Sequence, residues 1–128
     1  MKIRTVLNIL EGLSIITQRK MPAPVTYALL KNIKKLEAEQ AYFIKMQDAL
    51  LEECVERNED GSPVIVEGTP NKFVLKEDKI KYYNEEYKKI MDIDAEIEIQ
   101  TVPFSAIANL ELSLEEMSAL DFMLKTEE

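Results

Sequence analysis

Apolar residues recur at spacings of three and four over most of the chain and at alternate positions in a few short stretches, so the pattern alternates between helix and extended chain. Val6, Ile9, Leu10, Leu13 and Ile16 form a first helical stripe, widened by Ile3 and Leu7, with Thr5 placed as its N-cap. That helix is expected to end around 18–20, because Met21-Pro22-Ala23-Pro24 removes two backbone donors and pushes the preceding residues to extended geometry. So short and stiff a link predicts a helical hairpin or corner. A long helix is expected next, over about 24–57, with Pro24 near its first position, where a missing N–H costs nothing.

Within it Leu29, Leu36, Phe43 and Leu50 stand seven apart, Leu30, Ile44 and Leu51 form an adjacent row, and Ile33, Gln40, Gln47 and Cys54 a third. Both a core-facing helix and a coiled-coil seam with Gln40 and Gln47 as polar layers fit this face. Length adds a second argument. About 34 residues at ~1.5 Å each make a helix of roughly 50 Å, whereas a compact domain of this size is a sphere only ~36 Å across. The excess carries its apolar stripe with it and asks for a partner, most simply a second copy. On that reading Leu29, Leu36, Gln40, Phe43, Gln47 and Leu50 form a homo-oligomer interface.

Asn58-Glu59-Asp60-Gly61-Ser62-Pro63 ends the long helix with turn chemistry. The β-prone runs 64–66 and 72–76 flank Gly68-Thr69-Pro70-Asn71 and predict a hairpin. Asp78 is placed to cap a helix to about residue 92, with Ile80, Tyr83, Tyr87, Ile90 and Met91 on one face. Residues 95–101 alternate strictly, Ile97 and Ile99 against Glu96, Glu98 and Gln100, and predict a third strand ending at Pro103. A single helical turn is expected over 105–108. Ser113-Leu114-Glu115-Glu116 is a capping box opening a last helix with Leu114, Met117, Leu120, Met123 and Leu124 inward. Phe122 lies off that stripe, as an exposed anchor or as part of a wider buried face. The expected fold is α+β and mostly helical: one domain over 1–128, made of a helical part over 1–57 and a small α+β part with a three-stranded antiparallel sheet over 58–128.

Composition narrows the chemistry. The chain has 128 residues, one cysteine and no histidine, which removes an internal disulfide, thiolate zinc clusters, imidazole ligands and His-based catalysis. Cys54 falls on the apolar side of the long helix, where an inert buried thiol is expected. Three glycines offer no phosphate loop, and the tidiest carboxylate pair, Glu96 and Glu98, lies on the outer face of the expected strand. No enzyme, metal site or cofactor is therefore expected. The apolar stretch near the N-terminus is too short and too polar to span a bilayer, and no signal-peptide cleavage pattern follows it, so a cytoplasmic location is expected.

The net charge of −8 is unevenly spread. Residues 1–35 carry seven basic groups against Glu11 alone, a net +6, while the remainder carries nine basic and 23 acidic groups, a net −14. Direct nucleic-acid or membrane binding is not expected of such a surface. Lys31, Lys34 and Lys35 near the start of the long helix, and Glu52, Glu53 and Glu56 near its end, oppose the helix dipole. Two copies laid antiparallel would match the ends; equally, both sets are simply solvated faces.

The opening helix with its Lys20-Met21-Pro22-Ala23 corner, the lysine-bearing helix through Lys31 and Lys34-Lys35, and the acidic turn Asn58 to Gly61 come first in a recognisable series. After them come the Asn84-Glu85-Glu86-Tyr87 helix, the alternating stretch 95–101, and the closing Leu112-Ser113-Leu114-Glu115-Glu116-Met117 and Leu120-Asp121-Phe122-Met123. In these features the chain resembles a family of small uncharacterised proteins of phages and prophages of Gram-positive bacteria. The resemblance implies an accessory protein acting inside the infected cell or in the particle, and it brings no catalytic or ligand residues with it.

Three functions follow as expectations. The leading one is a non-catalytic module that self-associates on the long helix and binds a host or phage protein. The second is sequestration of a nucleotide or small anion by Arg19, Lys20, Lys31, Lys34 and Lys35 around the helix corner. The third is a virion or tail-assembly component.

Overall fold

A computed structural model describes residues 1–69 and 72–125. Its elements in order are α1 (Ile3–Leu13), α2 (Ala23–Cys54), α3 (Ile80–Met91), β1 (Val102–Pro103), α4 (Leu114–Leu120) and β2 (Leu124–Lys125), with short 3-10 turns at Glu77–Lys79, Phe104–Ala106 and Asp121–Met123. The chain forms two compact units, Met1–Ala41 with Asp94–Glu128, and Tyr42–Ile93. The first part of α2 belongs to one and its last part to the other.

The first unit is built on the stripes that the sequence displays. Val6, Leu13 and Ile16, Val25, Leu29 and Leu36 from α2, and Val102, Ile107, Leu120 and Met123 bury together. Thr5 does not cap α1: Lys2 holds the cap position and the helix opens three residues earlier than expected, so that the turn at Ile3 buries as well. Residues 95–101 run extended, and their alternation survives in burial, with Ile97 and Ile99 packed on the core. They are nevertheless not a strand. Asn32, fully buried on α2, bonds the backbone of Gln100 with its carboxamide, at 2.9 Å from Nδ2 to the carbonyl and 2.7 Å from the amide to Oδ1. Lys35, one turn on, donates to the Glu98 carbonyl at 2.7 Å. A helix's side chains supply the partners that a neighbouring strand would supply, which satisfies a segment with no ladder.

The expected three-stranded antiparallel sheet is thus replaced. The sheet that the described residues form is a parallel pair, β1 with β2, in the register Val102 to Leu124 and Pro103 to Lys125. Pro103 is the last residue of β1, so it ends a strand as expected, although that strand is not the one expected over 95–101.

In the second unit the expected hairpin segments pair through one isolated antiparallel bridge, Ile65 with Phe73, and the chain just after α2 adds two more, Val55 with Leu75 and Arg57 with Pro63. Pro70 and Asn71 of the expected turn lie outside the described residues. Three backbone hydrogen bonds close a ring: Glu56 N–H to the Val74 carbonyl, Val74 N–H to Val64, and Val64 N–H to Glu56, each 2.8 Å. Each segment spends half its length on one neighbour and half on the other, so no two stay paired long enough to make a ladder. The ring also explains why α2 stops at Cys54, short of residue 57, since the backbone of Glu56 is already committed to Val64 and Val74.

Phe43, Leu50, Cys54 and Val55 are buried in this unit. Tyr87 meets Phe43 edge-on at 6.0 Å and stacks on Tyr83 at 5.9 Å, so α3 covers the last part of α2 with its aromatic face. Asp78 sits inside the 3-10 turn that leads into α3 and does not cap the helix. The stretch of α2 that was expected to overhang the domain is therefore covered by residues of its own chain.

Candidate functional site

Thr5, Asn8, Ile9 and Gly12 follow one another at helical spacing on α1, with Ile15 in the turn after it, and Leu114, Glu115, Ser118 and Ala119 do so on α4, with Phe122 in the 3-10 turn that follows. Together they bound a groove of about 600 Å³ in the first unit, with Glu11 and Ser14 also at its walls. Gly12 keeps one wall open, as no atom lies within 4 Å of where a Cβ would stand. Ile9 and Phe122 pack on the core below. Ile15 is 42% exposed and Leu114 is 91% exposed.

Leu114 was expected to face inward. It is the first residue of α4, and side chains in a helix lean toward the N-terminus, so that of Leu114 projects past the core instead of over it. Phe122, of the two positions open to it, takes the half-buried one.

The groove's charge is one-sided. Glu11 and Glu115 line it, and no lysine or arginine does. Glu116, next to it, is already engaged: one carboxylate oxygen accepts the Ser113 N–H at 3.0 Å, completing the capping box, and the other lies 3.4 Å from Arg19. The Ser113 backbone N–H, and then Arg19, hold its carboxyl below the usual glutamate range. Arg19 also donates to the Glu111 carbonyl, tying the chain just after α1 to the entry of α4 and so fixing the two walls.

That accounts for one of the five cations expected to hold an anion. Lys35 is used on Glu98, and Lys31 lies over the Tyr27 ring at 5.5 Å from its centroid. Lys20 and Lys34 are exposed. The expected interface row is also in use. Leu29, Leu36, Phe43 and Leu50 are buried within the chain itself, and Gln40 and Gln47 are half-buried beside them. The surface that α2 leaves open in the first unit is a different one, on which Tyr27 and Leu30 are 61% and 51% exposed.

Cys54 is buried and unpaired by any disulfide; burial and the neighbouring Glu53 push its thiol above the ordinary range, with Lys79 and Lys76 opposing. Among the described residues no group of three acidic, cysteine or histidine side chains is arranged to hold a metal ion, and no helix is long and apolar enough to cross a membrane. A smaller hollow in the second unit, about 230 Å³, is lined by Leu51, Val55, Pro63 and Phe73 with charges of both signs.

The groove residues carried a weak signal in the sequence, because Thr5 reads as a helix cap and Asn8 and Gly12 stand off the apolar stripe. The place of Leu114 directly after a capping serine was the one available cue. No family model, curated protein or solved structure matches the chain.

Proposed function

We propose that this chain is a non-catalytic, phage- or prophage-encoded interaction module whose working surface is the groove between α1 and α4. Its ligand is an amphipathic helix with an apolar face and basic flanks. The observation that carries this reading is Leu114, a large apolar side chain almost wholly in water at the lip of a hollow already lined by Ile9, Ile15 and Phe122. An apolar cluster of this kind is costly to leave bare and is the usual mark of a contact surface. Glu11 and Glu115 set the sign of the partner's charge. Anion sequestration by the basic corner has less support, since Arg19, Lys31 and Lys35 are each engaged within the chain.

A photo-crosslinking amino acid placed at Leu114 tests the proposal in producing cells, with the same group at exposed Asn109 as control. A discrete product from position 114, lost when Gly12→Gln fills the groove, supports it. Absence of a product, or one that forms equally from Asn109, rules the groove out as the working surface.

A further inference from the structure

We infer that the helix received by this groove belongs to a second copy of the same chain, and that it is the face of α2 carrying Tyr27, Leu30, Lys31 and Lys34. The inference rests on the groove being a docking surface and names its occupant. Four observations meet on it.

Tyr27, Leu30, Lys31 and Lys34 follow one another at helical spacing (i, i+3, i+4, i+7), so they form one face, on the side of α2 away from buried Leu29, Asn32 and Leu36. Two of the four are large apolar side chains more than half in water. The other two are lysines, with Lys31 drawn over the Tyr27 ring. This is the chemistry that the groove lacks and matches: an apolar floor between Glu11 and Glu115 receives an apolar ridge flanked by Lys31 and Lys34. An amphipathic helix laid into a groove is a recurrent mode of recognition, read as anchors at such spacings.

Both surfaces lie in the first unit, so the contact draws on nothing in the second. Every copy offers one ridge and one groove. A twofold pair seats each ridge in the other copy's groove, and where the twofold does not close the same contact adds copies in a row. Self-association thus moves from the heptad row, which the chain uses for its own core, to the face of the same helix that the core leaves bare.

A charge-exchange experiment on the full chain tests this. Static light scattering across a concentration series is run on the wild type, on a ridge variant (Lys31→Glu with Lys34→Glu), on a groove variant (Glu11→Lys with Glu115→Lys), and on their equimolar mixture. All four positions are exposed, and circular dichroism checks that each variant keeps its helices. We expect the wild type to scatter above its monomer mass of 14.7 kDa. Each variant alone should lose about tenfold or more in association constant, because like charges then meet. The mixture should recover it, because each groove again faces a ridge of opposite sign. A wild type that stays monomeric overturns the inference, as do variants that associate as the wild type does, or a mixture no tighter than its components. A monomeric wild type whose Leu114 position still crosslinks another protein would leave the groove as a docking surface and remove only the second copy.

Discussion

The carboxamide of Asn32 pairs with both backbone groups of Gln100, so that one side chain of α2 takes the place of a β-strand along the extended segment. Among the described residues Asn32 is the one fully buried polar side chain in a core otherwise apolar, and its Nδ2 also lies 3.8 Å from the Met123 sulfur. Asn32→Ala should cost about 2 kcal/mol, the loss of two hydrogen bonds with their partners left partly buried. Asn32→Asp should cost more at neutral pH, since a carboxylate then faces the Gln100 carbonyl, and should recover part of the loss as acid protonates it into a donor. Urea unfolding of both variants at pH 7 and pH 4 checks the order and its change.

Glu116 makes the capping box of α4 sensitive to acid. Its pKa is lowered in the folded chain, so the stability it contributes is complete above the unfolded value of about 4.3 and is lost as pH falls through the folded value. Asp94, held down by the N-terminal ammonium, and Asp60, held down by Ser62, act in the same direction. Glu116→Gln should flatten part of the stability slope below pH 4 without abolishing it. Ser113→Ala should cost about 1 kcal/mol at every pH. Thermal melts between pH 2 and 7 distinguish the two behaviours.

The ring through Glu56, Val64 and Val74 should open as one event, because each of its three hydrogen bonds holds the strand segment on which the next depends. Native-state hydrogen exchange should give these three amides similar protection. Val74→Pro removes the Val74 donor and should release Glu56 and Val64 together. Independent exchange rates, with Val64 still protected in the variant, would show three separate bridges and no ring.

Two glycines with equal room should respond in opposite directions to alanine. Neither Gly12 nor Gly61 has an atom within 4 Å of a new Cβ, but Gly61 sits at φ +88° whereas Gly12 lies in α1. Gly12→Ala should stabilise by about 0.5–1 kcal/mol through helix propensity, and Gly61→Ala should destabilise by about 1 kcal/mol or more through left-handed strain. Paired chemical melts give both signs.

The helices were legible because their faces differ sharply: Leu29, Leu36, Phe43 and Leu50 are apolar at a fixed interval, and they are buried at that interval. The same row was expected to form an interface between copies, and it is buried within the chain, since periodicity says that a face is covered and not by what. The alternation of Ile97 and Ile99 correctly marked an inner and an outer side, but it could not show that the hydrogen-bond partners would be Asn32 and Lys35 on a helix. The ring was hidden for a related reason. Segments that divide their pairing between two neighbours carry the composition of a hairpin without its ladder. Leu114 escaped because one residue at a helix start points past the core that its stripe otherwise describes.

The most direct test of self-docking is an isotope-filtered NMR experiment on an equimolar mixture of labelled and unlabelled chains, observing the Leu114 methyl groups of the labelled copies. The account predicts intermolecular contacts from those methyls to the Tyr27 ring or the Leu30 methyls of unlabelled copies, growing with concentration and absent in Gly12→Gln. Leu114 methyl signals that show only contacts within their own chain, and do not change across the concentration range, would contradict it.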